Sequence, residues 1–237
     1  MPDQALETVR DRISAACRTA GRSPDSVQLL AVSKTQSADK IRALHHAGLN
    51  RFGESYADEG VEKIRSLEDL EGLEWHFVGP IQSNKTRLIA GHFDWVHSVD
   101  RQKIIRRLAD QRPAERGRLN VLIQVNMDDE PTKSGCRPDQ VGELAEAVAR
   151  RKSLRLRGLM AIPAPREDFA GQLEPFRRLK DLYDELKQAH PCADTLSAGM
   201  SADLEAAIAA GSTLVRVGTA LFGPRPDSRD RETSKKR

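Results

Sequence analysis

The chain has 237 residues, of which 38% are hydrophobic, 31% charged and only 4% aromatic. This length and balance are typical of a globular protein whose core is filled mainly by aliphatic side chains. No run of residues approaches the roughly 20 apolar residues of a membrane helix, and no apolar leader opens the sequence. We therefore expect a cytoplasmic protein without a membrane partner.

The net charge of +3 arises at the C-terminal end. Residues 224–237 contain six basic and three acidic side chains, and the body before them is formally neutral. A neutral body with a short basic tail is weak support for nucleic-acid binding, so we predict no such partner and a disordered tail. Because the three cysteines and six histidines lack metal-ligand spacing, we also predict no disulfide framework and no metal site.

The predicted elements alternate regularly along the chain. An amphipathic helix at residues 3–20 comes first, and Gly21 ends it. Eight short strands separated by helices follow. The strands are predicted at residues 27–33, 50–54, 74–79, 94–99, 120–126, 154–162, 194–198 and 213–218. The helices between them are predicted at residues 38–47, from after 54 to about 67, 82–90, 101–112, 138–151, 169–188 and 201–210. This pattern predicts a single-domain α/β fold, a (β/α)₈ TIM barrel with an extra N-terminal helix, over residues 1–223, and a doubly wound open sheet is the alternative.

The first strand carries the residue on which the functional prediction depends. In LLAVSKT, Leu30, Val32 and Lys34 share one face, and apolar residues on both faces indicate a strand that is covered on both sides. Lys34 lies where the strand ends, which in a barrel is the end that faces the active site. Because desolvation favours a neutral amine, Lys34 is a candidate for Schiff-base formation, and the alternative is a lysine that reaches solvent.

Two segments near the C-terminus combine glycine with a hydroxyl residue. In LSAGMSADL, Gly199 allows a tight turn and Ser201 is predicted to be a helix N-cap. In LVRVGTALFG, the strand ends at Gly218 and Thr219 opens a helical turn. The free backbone N–H groups at these turns, which follow strands 7 and 8, favour the binding of a phosphate. Arg216 shares the strand face of Gly218, so it is either a ligand donor or part of a structural ion pair.

A strand-end lysine opposite a phosphate site indicates a phosphate ester that carries an aldehyde. The chain resembles the pyridoxal phosphate (PLP) homeostasis protein family, relatives of the alanine racemase barrel, in LLAVSKT, RFGESY, WHFVGPIQSNK, VLIQVNMDDEPTKSG, RGLMAIP, LSAGMSADLEAAIAAGST and VRVGTALFG. The resemblance implies a fold like the alanine racemase N-terminal domain, with PLP as a Schiff base on Lys34. It further implies that the phosphate is bound by Ser201, Gly218 and Thr219, that the site is lined by Ser197 and Met200, and that the pyridine nitrogen is faced by Arg216.

This chain departs from the family pattern at one visible position. The family usually has FGENY where this sequence has FGESY, so Ser55 replaces an asparagine and this chain lacks any ligand contact that the asparagine amide makes. Lys133 matches a basic loop residue near the cofactor. Gln82, Asn84 and Lys85 also match the family, but no role follows for them.

The resemblance implies a PLP carrier that buffers the cofactor or delivers it to PLP-dependent apoenzymes. An arginine does not readily give up its proton, so Arg216 should leave the pyridine nitrogen unprotonated and weaken carbanion stabilisation. Racemases of this type use a catalytic tyrosine from a second domain, whereas this sequence offers only Tyr56 and Tyr183. We therefore predict a monomer without useful racemase activity; a PLP-dependent racemase or decarboxylase and a cofactor-free Schiff-base aldolase are the alternatives.

Overall fold

The computed structural model describes residues 2–128 and 134–223, so Lys133 and the predicted tail lie outside the described residues. The helices are α1 (Pro2–Thr19), α2 (Ala38–His46), α3 (Ala57–Ser66), α4 (Thr86–His92), α5 (Gln102–Gln111), α6 (Val141–Ala149), α7 (Phe169–Ala189), α8 (Leu204–Ala209) and α9 (Thr219–Phe222). The strands are β1 (Gln28–Val32), β2 (Arg51–Glu54), β3 (Glu74–Phe77), β4 (Trp95–Val99), β5 (Leu119–Val125), β6 (Leu154–Ala161), β7 (Thr195–Ser197) and β8 (Leu214–Val217). None of these helices has the length and apolar character that crossing a membrane requires.

The strands form one closed parallel barrel. Each strand pairs with the next in chain order, and β8 returns to pair with β1. In that last pairing, Leu30 of β1 lies beside Arg216 of β8. The predicted (β/α)₈ barrel with an extra N-terminal helix is confirmed, and the alternative of an open sheet is wrong.

Side chains on the strands alternate between the barrel interior and the surrounding helices. On β1, Leu29 and Ala31 belong to the large apolar core between sheet and helices. Leu30 is fully buried outside that core, and Lys34 continues its inward face to the end of the barrel. The interior also holds a separate small apolar cluster of Trp95, Leu122 and Met160.

Three helices begin three or four residues later than predicted, and at α6 the predicted first turn, Pro138–Gln140, is a 3-10 helix. The helix predicted at residues 82–90 starts at Thr86, because the residues before it form a turn in which the Lys85 amide donates to the carbonyl of Gln82. The helix predicted at residues 201–210 starts at Leu204, because a turn closed by Asp203 precedes it. The differences at α4 and α8 place Gln82 and the predicted site residue Ser201 in turns rather than in helices.

Candidate functional site

A pocket of about 300 Å³ lies at the carboxyl ends of the strands. Six of the seven predicted cofactor-binding residues line it, namely Lys34, Met200, Ser201, Arg216, Gly218 and Thr219. Lys34 follows β1, while the others follow β7 or belong to β8 and the start of α9. Since β1 pairs with β8, the barrel brings the lysine and the glycine–threonine turn to one opening.

Lys34 is half-buried and lies at a strained turn. The next residue, Thr35, has a φ of +66°, and it is the one non-glycine residue with positive φ in the described part of the chain. A β-branched residue in this left-handed conformation is strained and persists only where its surroundings hold it. Here the Thr35 amide donates to a carboxylate oxygen of Glu59 on α3.

A buried ion cluster beneath Lys34 stabilises this turn. We call Glu54, Glu59 and Lys63 the turn cluster. The Lys63 ammonium donates to Glu54 over 2.8 Å, to Glu59 over 2.7 Å and to the carbonyl of Ser33 over 2.7 Å. Burial raises the pKa of Glu54, and the charge of Lys63 opposes that rise. The cluster therefore ties α3 to both residues that flank Lys34.

Sequence reasoning missed the turn cluster, although part of its signal is present. Glu54 shares the β2 face of Phe52, which is fully buried in the apolar core. A carboxylate on such a face requires a cation, and Glu59 and Lys63 have the i,i+4 spacing of a helical ion pair. That Lys63 also reaches Glu54 depends on how α3 packs over β2, which no local pattern specifies.

Arg216 is almost fully buried at the base of the pocket. One guanidinium nitrogen, Nη1, donates to both the carbonyl and the hydroxyl oxygen of Ser197, each over 2.7 Å, and Nη2 donates to the carbonyl of Ala161 over 2.9 Å. Burial lowers the pKa of Arg216 to about 10. These three acceptors carry no formal charge, so the hydrogen bonds of Arg216 are not those of an ion pair.

Ser197 differs from the other predicted residues because it is not among those that line the pocket. It is fully buried below Arg216. Its hydroxyl accepts from Arg216 and also lies 3.1 Å from Nδ1 of His97. Ser197 thus contacts the arginine from the barrel interior.

The predicted phosphate-binding end of the pocket is built from two turns. The prediction that Ser201 caps a helix is wrong, because Asp203 is the N-cap of α8 and its carboxylate accepts from the Met200 amide over 2.6 Å. Ser201 lies inside this turn, and Arg12 of α1 donates to its carbonyl over 3.0 Å. Thr219 opens α9 as predicted, and the first N–H groups of a helix have no acceptor within it.

Ser55 connects the main pocket to a smaller one. It lines the main pocket and also a neighbouring cavity of about 150 Å³, whose other lining residues include Tyr56, Gln82 and Lys85. Lys85 forms an ion pair of 2.7 Å with Asp58 there. Gln82 and Lys85, for which the sequence predicted no role, therefore lie beside the candidate site.

A larger groove of about 960 Å³ lies between α5 and α6, away from these residues. Its lining consists mainly of long charged side chains such as Lys103, Arg106 and Glu146. None of the predicted site residues contributes to it. The smaller pocket at the strand ends, which combines the strand-end lysine with the two turns, is therefore the candidate site.

The barrel with a lysine after β1 and an arginine on β8 defines a class of protein. A family model described as alanine racemase, N-terminal domain, matches residues 5–226. A curated protein of Escherichia coli (strain K12), named pyridoxal phosphate homeostasis protein, is 56% identical over 94% of this chain and 97% of its own length. Its namesake in Pseudomonas aeruginosa is 56% identical over 93% of this chain and 94% of its own. The chain therefore belongs to the alanine racemase N-terminal domain family and, within it, to the pyridoxal phosphate homeostasis proteins.

Solved structures are consistent with this assignment. PipY of Synechococcus elongatus PCC7942 without PLP is 35% identical, with a TM-score of 0.83 over 94% of this chain and 100% of its own. The same protein with PLP bound is 33% identical, with a TM-score of 0.79 over the same shares. An alanine racemase of Clostridium difficile 630 shares the fold alone, at 14% identity and a TM-score of 0.72 over 92% of this chain and 57% of its own. The resemblance identified in the sequence is confirmed.

Proposed function

We propose that this protein binds PLP in the pocket at the strand ends and takes part in intracellular PLP homeostasis. The observation that carries the proposal is the joint presence of Lys34, Arg216 and the Thr219 turn around one pocket of about 300 Å³. A pocket of this size suits a single small cofactor. Relatives that are 56% identical are named pyridoxal phosphate homeostasis protein, and a structure of the 33% identical PipY contains PLP.

The residues present fit the chemical groups of PLP. The amine of Lys34 is the nucleophile for the aldehyde, and the turn cluster fixes the backbone on both sides of it. Ser201, Gly218 and Thr219 supply hydroxyl and backbone donors for the phosphate, while Met200 lines the apolar ring. Arg216, which lines the same pocket, would donate to the ring nitrogen. When bound, PLP supplies an electrophilic aldehyde and a ring that accepts electrons.

We further propose that the protein stores or delivers PLP and has no useful racemase activity. The donor at the ring nitrogen is an arginine, which stays protonated and leaves that nitrogen neutral. Neither tyrosine is among the described residues that line the main pocket: Tyr56 is exposed beside it, and the Tyr183 hydroxyl donates to the carbonyl of Ala193. The proposed recipients are PLP-dependent apoenzymes, and the proposed form is a cytoplasmic monomer.

We also propose that residues 1–223 form one PLP-binding domain and that residues 224–237 form a separate basic tail. The closed barrel and the α9 turn account for the chain up to Gly223, which also lines the pocket. The site residues therefore all belong to the barrel unit.

Borohydride reduction followed by peptide mapping tests the function. The purified protein is incubated with PLP and reduced, and we expect the label on Lys34 and its loss in a folded Lys34→Ala variant. Lys40→Ala is the matched control, since Lys40 lies near the pocket and donates to the Gln36 side chain over 2.8 Å. A label that persists in Lys34→Ala, or a wild-type protein that takes up no PLP, would contradict the proposal.

A further inference from the structure

A continuous line of polar side chains crosses the barrel interior below the pocket. Glu74 Oε1 lies 2.9 Å from His76 Nε2, and His76 Nδ1 lies 2.8 Å from His97 Nε2. His97 Nδ1 lies 3.1 Å from the Ser197 hydroxyl, which accepts from Arg216 over 2.7 Å. We call these five residues the barrel relay. It runs from the first residue of β3 to the arginine that lines the pocket.

The chemistry of the two ends fixes the direction of every hydrogen bond between them. Arg216 only donates, and a Glu74 carboxylate only accepts. Burial lowers the pKa of both His76 and His97, so each ring is neutral and has one N–H. His76 therefore donates from Nε2 to Glu74 and accepts at Nδ1. It follows that His97 donates from Nε2 and accepts at Nδ1 from the hydroxyl of Ser197.

Burying polar side chains in the barrel interior costs free energy unless they are hydrogen-bonded. The interior of such a barrel is usually filled by branched aliphatic side chains, whereas here two fully buried imidazoles occupy it. Carbonyls of Ser197 and Ala161 already accept from the guanidinium, so Arg216 has acceptors without the relay. Buried polar networks that are fully satisfied fix a single geometry.

The aromatic surroundings hold the rings of the relay in place. His76 stacks on Trp95, with ring centres 5.2 Å apart and planes 11° from parallel. The guanidinium of Arg157 covers Trp95 at 4.3 Å. Movement of His76 would therefore disturb a packed stack of aromatic rings.

We infer that Glu74, His76 and His97 are positioning residues that orient Arg216 through Ser197 for its contact with the ring nitrogen of a bound pyridine. The inference rests on the proposed function for the identity of that ligand. It assigns a role in the site to residues below the pocket: Glu74 is the first residue of β3, and His76 and His97 lie within β3 and β4. None of the three lines the pocket.

Equilibrium titration of the apoprotein with PLP tests the inference at Glu74, the member most distant along the relay. We expect Glu74→Leu to weaken PLP binding about tenfold, because it removes the carboxylate acceptor that orients the relay. Glu74→Gln should restore near wild-type affinity, since its amide oxygen accepts the same hydrogen bond. Arg51→Leu is the matched control: Arg51 pairs with Glu74 over 3.0 Å but contributes no atom to the relay.

Two outcomes of the titration would overturn the inference. Wild-type affinity in Glu74→Leu would mean that the relay does not reach the pocket. An equal loss in Arg51→Leu would mean that the charge pair at the barrel end, rather than the relay, causes the effect. Thermal unfolding of each variant establishes that the proteins compared are folded.

Nitrogen NMR of the apoprotein tests the relay without PLP. We expect His76 and His97 to carry their proton on Nε2, and the Arg216 guanidinium signals to broaden in Glu74→Leu and stay sharp in Glu74→Gln. A proton on Nδ1 of either histidine, or Arg216 signals that are unchanged in Glu74→Leu, would overturn the inference. The charged groups that face His76 are Glu74, Arg51 and Asp94, and Arg216 faces His97. If the wild type binds no PLP, the proposed function fails while this measurement still decides the relay.

Discussion

At the scale of single residues, the proposed phosphate contacts depend on two hydroxyl groups from different turns. Ser201 follows β7 and Thr219 opens α9, and both line the pocket. We expect Ser201→Ala and Thr219→Val each to weaken PLP binding by about 1.5–3 kcal/mol, or roughly tenfold to a hundredfold, because each removes a hydrogen bond to a charged group. Titration of the apoproteins measures this change.

A matched serine variant separates this effect from a general response to substitution. Ser37→Ala removes an exposed hydroxyl before α2 that makes no side-chain cap hydrogen bond. Its affinity for PLP should equal that of the wild type. Unchanged affinity in both Ser201→Ala and Thr219→Val would show that the phosphate binds elsewhere.

The site residues differ in how far the sequence could predict them. Lys34 and Arg216 follow from strand position, since a strand end and a period of two place them at the barrel mouth. Ser201 was predicted with the wrong local structure, because Asp203 two residues later occupies the N-cap position of α8 and its carboxylate closes the preceding turn on the Met200 amide. His76 and His97 had no sequence signal as a pair, since only the barrel register brings β3 and β4 side chains together.

At the scale of elements, α3 is attached to the β1 turn by a buried ammonium. Lys63→Met leaves the Glu54 carboxylate, which is 0% exposed, without its cation. We expect unfolding free energy to fall by about 3–5 kcal/mol, as happens when one partner of a buried ion pair is removed. Denaturant unfolding measures the loss.

A double variant identifies the cause of that loss. Replacing both Lys63 and Glu54 by Met removes the unpaired charge and should recover much of the stability of the single variant. A loss below about 1 kcal/mol in Lys63→Met would contradict the role given to the turn cluster, because an isolated buried carboxylate costs more than that.

The order of elements was predictable, whereas their exact starts were less so. Alternating strands and helices, several of which end at a glycine or proline, have a strong local signal, and the closed barrel follows from their number. The starts of α4 and α8 depend on the turns that precede them, in which side chains add to the backbone hydrogen bonds. At the start of α4, the Thr86 hydroxyl donates to the Ser83 carbonyl over 2.9 Å. Before α8, the Asp203 carboxylate accepts from the Met200 amide.

At the scale of the whole molecule, Glu74 couples stability to pH. Although burial opposes it, hydrogen bonding to His76 keeps the pKa of Glu74 at about 2, below the ordinary 4.5. As the pH falls, the unfolded chain takes up this proton first, so the folded state loses stability between about pH 4.5 and 2. Above that window the contribution is fully present.

Urea unfolding of the wild type and Glu74→Gln across pH measures this contribution. We expect the wild type to be more stable at neutral pH by about 1–2 kcal/mol, a value reduced for solvent screening of a side chain that is 36% exposed. The difference should disappear near pH 2, where the wild-type carboxyl is protonated. A difference that stays constant across the window would contradict the pKa assigned to Glu74.

The pairing of β1 with β8 has a consequence for the synthesis of the chain. Lys34 leaves the ribosome early, but the groups proposed to complete its pocket, Arg216 and Thr219, are among the last of the barrel to emerge. A nascent chain that lacks β8 has an open sheet edge, and its pocket lacks Arg216 and Thr219. A ligand that binds only the finished pocket therefore stabilises the closed barrel and not the open sheet. It favours chains in which β1 and β8 have already paired.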